Sequence, residues 1–541
     1  MMETTAEQTA NGRSRKLGET PARQRCTAVW LIRHRWVSLG GIGLFSLLFL
    51  LQGAMRSWPR PSNMDEFSVL LGADTFRHGR ITNPTPPLWE HFETLHVIFT
   101  PTYASKYPPA PALLFALCER IFGNPIWALW LSTVFACVAV AWMLLAWFPL
   151  RWALLGAFFA ALHPLVVSWG RFYLCCNLGV LGAALLLGSA KRLTRRASWS
   201  HGILLASGVA LVANVRPYEG GLLSLGVAVW LLSSGMLKQP YAWATLTRSA
   251  LPLLLLTLTG MAYYNLRVSG SALKMPYAVH AAQYDSAPPF WFQSSHPKWN
   301  YRHENLLNFH VWELNTYLDM QDLSLRLKTL GQRLRILFFW FFDLSMIALL
   351  WILPALCRRS LRPVLFLSGV LLIAFMLTTW LNSNYISVAV PLYVIVLTDC
   401  LRRVNRTVVP RTTLPIGPLI LFLLAIGTFA WALQDVQPFD LNDSDYGYVR
   451  AQILSKLAAR GGRHVIFVHY SPQHPRAEEW IYNDADIPNS QVIWAHDMSP
   501  SDNRNLIRHY PGRELWQFDA DVKPQRLLPK QIPELPANVS P

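Results

Sequence analysis

Apolar positions along this chain gather into runs of about 18 to 24 residues, each long enough to cross a hydrocarbon core about 30 Å thick. Hydropathy and charge together place about eleven spans, at roughly 37–54, 125–149, 152–169, 172–190, 202–214, 217–234, 250–266, 335–356, 363–381, 386–400 and 414–433. Each predicts a helix, because lipid offers no partner for an open backbone N–H or C=O. Three polar stretches interrupt the pattern: loops 55–124 and 267–334, and the tail 434–541. An odd number of spans puts all three on the side opposite the N-terminus.

The tail changes period. A helix is expected at about 446–460, followed by strand-like runs at His464–Val468, Gln491–Ala495 and Leu515–Phe518 with helical stretches between them. That alternation predicts a small α/β domain, with Val465, Ile466, Phe467, Val492, Ile493, Trp494 and Trp516 as its core. Residues 440–530 are expected to be compact and to lack the catalytic base. The fold class is therefore an α-helical polytopic membrane protein carrying a small C-terminal α/β domain. Its parts are a basic leader (1–36), a transmembrane unit (37–433) and the tail domain (434–541). No fixed-period repeat is visible, which counts against solenoids and inverted-repeat transporters.

Composition agrees, with 52% hydrophobic and 15% charged residues, values that exclude a soluble enzyme or a disordered chain. The net charge of +17 could suggest nucleic-acid binding, but its distribution argues otherwise. The leader up to residue 35, Arg151, the Lys191–Arg196 loop, Lys238 with Arg248, Arg358–Arg362 and Arg402–Arg411 hold 21 cations against three acids; the rest holds 27 against 28. These segments alternate from side to side, which is the positive-inside pattern, so they and the N-terminus are expected in the cytoplasm and the tail outside. The first run follows a long basic leader and is read as a retained span. Seven cysteines lie in or beside apolar runs without paired spacing, so neither a disulfide framework nor a zinc cluster is implied.

Two features of the first polar loop carry chemistry. Asn63-Met64-Asp65-Glu66-Phe67 puts two adjacent carboxylates just beyond span one, where a covered carboxylate could serve as a base; an acidic pair at a helix start is the plainer reading. Tyr103-Ala104-Ser105-Lys106-Tyr107-Pro108-Pro109 then leads into an apolar stretch, Leu113–Phe122, too short to span. A short interfacial helix there would hold Lys106 at phosphate depth, although lysines also snorkel without binding anything.

Taken together, this order of motifs resembles the GT-C glycosyltransferases, such as aminoarabinose transferases and protein O-mannosyltransferases. That family has an Asp-Glu after span one and a Tyr-x-Lys-Pro-Pro-type motif before an interfacial helix. Here these are Asp65-Glu66 and Lys106-Tyr107-Pro108-Pro109, with a tyrosine inserted after the lysine, and the resemblance runs over 37–433. Over the whole chain it is similar to a bacterial group of such proteins through Asn-Met-Asp-Glu-Phe (63–67), Arg-Pro-Tyr-Glu-Gly (216–220) and Glu-Trp-x-Tyr-Asn-x-Ala-Asp-Ile (479–487).

The resemblance implies a polyprenyl-phosphate-linked sugar as donor and an envelope lipid, glycan or protein as acceptor, in the bacterial cytoplasmic (inner) membrane. The acceptor hydroxyl would attack the anomeric carbon with inversion, Asp65 serving as base with Glu66 beside it. Phosphate leaves without a proton donor and needs cations instead, a role that falls to Lys106 and Arg216. Tyr103, Tyr107, Tyr218, Glu219, Arg302 and Tyr385 complete the candidate binding residues, and Lys274, Tyr277, Tyr301, His303 and Glu304 could roof the cavity. No cofactor is expected, and a divalent cation is left open.

Asn384-Tyr385 stands where the related proteins often carry His-Tyr, which removes a titratable imidazole. Asp343 is expected inside span eight, hydrogen-bonded to a hydroxyl on a neighbouring helix. Arg216 and Glu219 could equally lock two helices together. The Asp484-Ala485-Asp486 and Asp519-Ala520-Asp521 triplets are discounted as metal motifs, and no Gly-rich phosphate loop, HExxH or Gly-x-Ser-x-Gly occurs. A transporter and an inactive scaffold on the same fold are the rival readings.

Overall fold

The computed structural model describes residues 22–235, 240–296, 300–408, 415–435, 446–476 and 478–530, with the side chains of 22–33 and 435 left out. Most of the basic leader, Lys238, Arg411 and tail segments 436–445 and 531–541 thus lie outside the described residues.

Each expected span becomes helical. After α1 (Ala22–Arg56), the first polar loop contains α2 (Met64–Arg77), a short hairpin of β1 (Val97–Ile98) and β2 (Ala104–Ser105), and α3 (Pro109–Phe122). Then come α4 (Ile126–Leu144), α5 (Leu150–Leu162), α6 (Pro164–Trp169), α7 (Asn177–Leu193), α8 (Trp199–Ala213), α9 (Pro217–Ser233) and α10 (Pro240–Ser269). The second loop folds as α11 (Pro276–Tyr284) and α12 (Glu304–Asp319), and α13 (Leu323–Phe341), α14 (Ile352–Leu356), α15 (Arg362–Leu377), α16 (Val390–Val404) and α17 (Gly417–Asp435) follow.

Among the described residues, six helices are long and apolar enough to cross a membrane, and a further pair, Leu323–Phe341 with Leu344–Leu356, is apolar enough together but bent by 110°, the shape of a broken span or a re-entrant loop. That pair corrects the expected span eight. Instead of one helix over 335–356, the chain turns at Phe342-Asp343, and residues 344–351 form a 3-10 helix. Asp343 is buried at the turn, where it caps that helix by accepting from Met346 N at 3.2 Å and from the Ser345 hydroxyl. Its partners thus belong to its own segment, not to a neighbouring helix.

The cation-rich loops meet at one end of the helical layer. Arg358 and Arg402 both lie over the Phe148 ring, at 5.8 and 5.7 Å, Arg358 and Arg403 pair with buried Asp399, and Arg192 and Arg195 donate to the carbonyls of Trp142 and Ala146. The three polar regions gather instead against one another. In α3, Leu113, Leu117 and Ile121 recur at every fourth position and are about half exposed, an apolar stripe suited to an interface.

The tail forms α18 (Tyr446–Arg460), β3 (His464–His469), β4 (Val492–His496), α19 (Pro500–His509), β5 (Glu514–Asp519) and β6 (Leu527–Pro529). The sheet order is β4-β3-β5-β6, with β3 parallel to both neighbours and β6 antiparallel at the edge. Strands β3, β4 and β5 fall where hydropathy put them; β3 and β4 are buried on both faces and read as continuous apolar runs, whereas β5 is buried mainly at Phe518.

The tail does not build its core alone. Phe67, Leu71, Phe92, Val97, Phe99 and Tyr103 of the first loop pack in one cluster with Ile466, Trp480, Trp494 and Phe518. The 479–487 motif makes this joint. Tyr482 stacks on Phe67 at 4.8 Å and donates to Leu95 O at 3.0 Å, and Ala485 N donates to Asp74 Oδ2 at 2.8 Å. Arg450 lies over the Phe67 ring at 4.8 Å and donates to Tyr482 O at 2.6 Å. A helix only 14 residues long gains its fixed position from this packing rather than from intrinsic propensity. That helix carries Asp65.

Candidate active site

Asp65 and Glu66 occupy the first turn of α2 but face different partners. Asn63 caps the helix, its Oδ1 accepting from Asp65 N at 3.0 Å and Glu66 N at 3.1 Å. Glu66 Oε2 accepts in return from Asn63 N at 3.0 Å and Ser62 N at 2.7 Å, completing a capping box, and Oε1 accepts from Tyr173 N at 2.7 Å. Glu66 is 1% exposed, so burial pushes its carboxyl up to about 7 against the pull of those three donors. With both oxygens occupied by backbone, it fixes where α2 begins and joins α2 to the turn before α7.

Asp65 turns about 100° away around the helix. Its Oδ1 accepts from the Tyr107 hydroxyl and lies 2.6 Å from His96 Nδ1, and that nitrogen is 3.1 Å from the Tyr107 oxygen. Burial disfavours the charged carboxylate. The opposing field of His96, hydrogen bonds from His96 and Tyr107, and the Lys106 charge outweigh it and hold the carboxyl well below its ordinary value.

The hairpin explains how residues distant in sequence meet. Val97 pairs with Ser105 and Ile98 with Ala104, which sets His96 beside Lys106 and Tyr107 at the open end. His96 adopts a left-handed φ of 64°, costly for a non-glycine residue, and is held there by its carbonyl. That oxygen accepts from Ser68 Oγ at 2.6 Å and Lys106 N at 3.3 Å. Burial and then the Lys106 charge lower the proton affinity of the imidazole, against the pull of Asp65. Burial, followed by the Asp65 charge, pushes the Tyr107 phenol well above its ordinary value and keeps it a donor.

Lys106 lines a cleft with Pro108, Pro109, Asn214, Tyr264 and Tyr277, bounded by apolar helix α10. Arg216 sits just before α9 with its guanidinium over the Tyr385 ring at 5.0 Å, within electrostatic reach of Tyr277 and Glu219. The Asp65 charge reaches the same two tyrosines, and the Tyr277 and Tyr107 rings meet edge to face at 5.7 Å. Asp65, Lys106, Tyr107, Arg216, Glu219, Tyr277 and Tyr385 therefore form one polar cluster, the candidate reaction chamber, where the first loop, the second loop and the helix ends converge.

Other sequence candidates lie elsewhere. Tyr103 is buried in the joint with the tail, donating to Asn483 O at 3.0 Å. Tyr218 donates to Ala374 O at 3.4 Å and packs on Phe290. Arg302 pairs with Glu93 at 3.5 Å and lies over Trp89, while His303 stacks on His496 at 3.5 Å and Tyr301 donates to Tyr284 O at 2.6 Å. Lys274 and Glu304 are exposed. In the tail triplets, Asp484 accepts from Ser490 Oγ and Asp521 from Ser471 N, which organises turns.

The fold is similar to that of ArnT from Cupriavidus metallidurans. Its apo crystal structure matches at TM-score 0.51 and 12% identity, covering 91% of this chain and 93% of that one. The crystal structure of ArnT bound to undecaprenyl phosphate matches at TM-score 0.51 and 12% identity, covering 89% and 92%. The chain has the GT-C fold. No family model matches it, and no curated protein does.

Within the GT-C fold, the residue that sequence reading misses is His96. It lies in no motif, and only the hairpin register reveals it. A second omission is a potential metal-ligand set in the second loop, Asp285, His310 and Glu313.

Proposed function

We propose that the chain is an integral-membrane glycosyltransferase that moves a sugar from a polyprenyl-phosphate donor to an envelope lipid, glycan or protein acceptor, with inversion. Asp65 is the general base. The observation that carries this reading is a largely covered carboxylate, 18% exposed, kept ionised beside Lys106 and Tyr107, in a chamber that also holds Arg216. Both hydrogen-bonding neighbours address Oδ1, so Oδ2 is the oxygen left for an acceptor hydroxyl.

In the transfer, the acceptor oxygen forms a bond to the anomeric carbon while the bond from that carbon to the phosphate oxygen breaks. The acceptor proton passes to Asp65, and polyprenyl phosphate leaves with the bond electrons. Lys106 and Arg216 stabilise its growing negative charge. The cleft along α10 admits the prenyl chain from the membrane, a reading supported by the like fold of ArnT, which binds undecaprenyl phosphate. The chamber side faces out of the cytoplasm, as the gathering of cationic loops at the other end supports.

The test is sugar transfer from a polyprenyl-phosphate sugar in liposomes by wild type and Asp65→Asn, with size exclusion checking the fold. The variant keeps shape and loses basicity, so turnover is expected to fall about 10² to 10⁴-fold with donor binding intact. Wild-type turnover in a well-folded Asp65→Asn protein removes this mechanism and returns the transporter and scaffold readings to the front.

A further inference from the structure

Helices α11 and α12 of the second loop carry buried metal-ligand side chains that the proposed transfer does not use. Asp285 is the residue that ends α11, and His310 and Glu313 are one turn apart on α12. One ligand atom from each lies within 4.8 Å of the others, and His310 Nδ1 is 2.8 Å from Glu313 Oε2. His280, on α11, adds an imidazole whose Nδ1 is 3.3 Å from Asp285 Oδ1. Both histidines are 1% exposed. His310 Nε2 is also buried without a hydrogen-bond partner among the described residues. Two carboxylates and an imidazole converging in a largely covered place, with a second imidazole against Asp285 and His310 Nε2 left unsatisfied, form a ligand set rather than a finished hydrogen-bond network.

We propose that Asp285, His310 and Glu313, with His280 as a fourth ligand, bind one divalent transition-metal ion that clips α11 to α12. Mixed imidazole and carboxylate donors without thiolate suit Zn²⁺ or Mn²⁺, while Mg²⁺ and Ca²⁺ prefer all-oxygen sets. Tetrahedral ligands on Zn²⁺ lie about 3.3 Å apart, so the three atoms need to close by roughly an ångström or more, a movement within side-chain rotation. Two carboxylates offset the ion's charge, and Lys106, whose field reaches both His280 and Asp285, opposes binding and sets its upper limit. The site adjoins the Asp65 cluster, because the His280 ring is 6.0 Å from the His96 ring that touches Asp65.

The proposal does not depend on the transfer reading, and binding is scored without activity. The full chain carrying a histidine-free tag, stripped with EDTA in detergent, is titrated with Zn²⁺ alone and followed by elemental analysis and thermal unfolding. One ion per chain and a raised unfolding temperature are expected. Asp285→Asn and Glu313→Gln should each bind at least tenfold more weakly, while Asp484→Asn with Asp486→Asn in the tail should bind as wild type. Co²⁺ in the unmutated protein should give the visible absorption of a low-coordinate site, a readout that survives poor folding of any variant. Substoichiometric Zn²⁺, no visible Co²⁺ bands, or undiminished binding in the Asp285 and Glu313 variants overturns the assignment. Stoichiometric binding by a protein without transfer activity leaves the metal site standing and removes only the transferase reading.

Discussion

His96 Nδ1 lies 2.6 Å from Asp65 Oδ1 although 31 positions separate the two residues, and the contact exists because a hairpin returns the chain to the start of α2. An imidazole N–H donating to a carboxylate holds that carboxylate in one orientation. His96→Ala removes the donor and is expected to lower turnover about 10 to 100-fold, the range for a hydrogen bond to a charged group. His96→Asn should recover part of that loss, because asparagine tolerates the left-handed backbone and offers an amide N–H at a similar reach. Steady-state transfer by the two variants makes the comparison; equal activity of His96→Ala and wild type discards the orienting role.

Lys106→Ala separates donor binding from chemistry. Its ammonium is assigned to the donor phosphate, so the donor KM should rise about 10 to 100-fold, and the acceptor KM should stay within a factor of two or three. Lys106→Arg keeps the charge but changes its shape, and partial recovery there would confirm that charge is what matters. A rise in the acceptor KM alone would move Lys106 to the other substrate.

Hydropathy makes the helices and the tail strands legible, because burial in lipid or in a two-sided sheet writes apolar runs directly into the chain. The break at Asp343 escapes that reading, since one short polar residue hardly lowers the average over Phe338–Leu350, yet its side chain caps a new helix. The motif at 479–487 illustrates a different limit. Its polar and aromatic residues look like site chemistry, but Tyr482 and Ala485 grip α2 and hold Asp65 in place from outside the chamber. The tyrosine inserted at 107 appears in the sequence only as a departure from a pattern, and its meaning comes from its hydroxyl reaching Asp65. Likewise Asn384 lacks an imidazole, while His96 supplies one beside Asp65 from another loop.

Glu66 should leave a mark on stability. Its folded proton affinity is raised from 4.5 to about 7, so between those values the native state holds more protons than the unfolded chain. Stability from this group therefore falls as pH rises from about 5 to 7 and is flat above, on the order of 3 kcal/mol at 1.36 kcal/mol per unit. The buried histidines with lowered proton affinity act in the opposite sense, so the informative quantity is the difference from Glu66→Gln. The unfolding temperature of wild type relative to Glu66→Gln should decline over that window, and parallel curves would contradict the assigned shift.

Sidedness can be read with one native cysteine. Cys357 is exposed at the cation-rich end, and Val522 is 58% exposed at the tail end. In a Cys26→Ser background, an impermeant maleimide should label Val522→Cys in intact cells and Cys357 only after permeabilisation. Labelling of Cys357 in intact cells reverses the orientation and places the chamber in the cytoplasm, where a polyprenyl-phosphate donor could still reach it but an envelope acceptor could not.

Tyr107→Phe tests the electrostatics of the base most directly. The hydroxyl donates to Asp65 Oδ1 and favours the charged carboxylate, so its loss weakens the acid and raises its proton affinity. The phenyl ring keeps its contact with Tyr277, which limits the change in shape. Turnover should then lose its activity at a higher pH on the acid side than wild type does, with the midpoint moved upward by about one unit if the bond contributes about 1.4 kcal/mol. At pH 7 the carboxylate remains ionised in both proteins, so the rate there should fall only several-fold, through looser orientation rather than loss of the base. A pH–rate profile of kcat in detergent distinguishes the cases. An acid limb that does not move means that Asp65 is not the titrating group, whereas an upward shift absent from His96→Asn assigns the low proton affinity to the tyrosine inserted after Lys106.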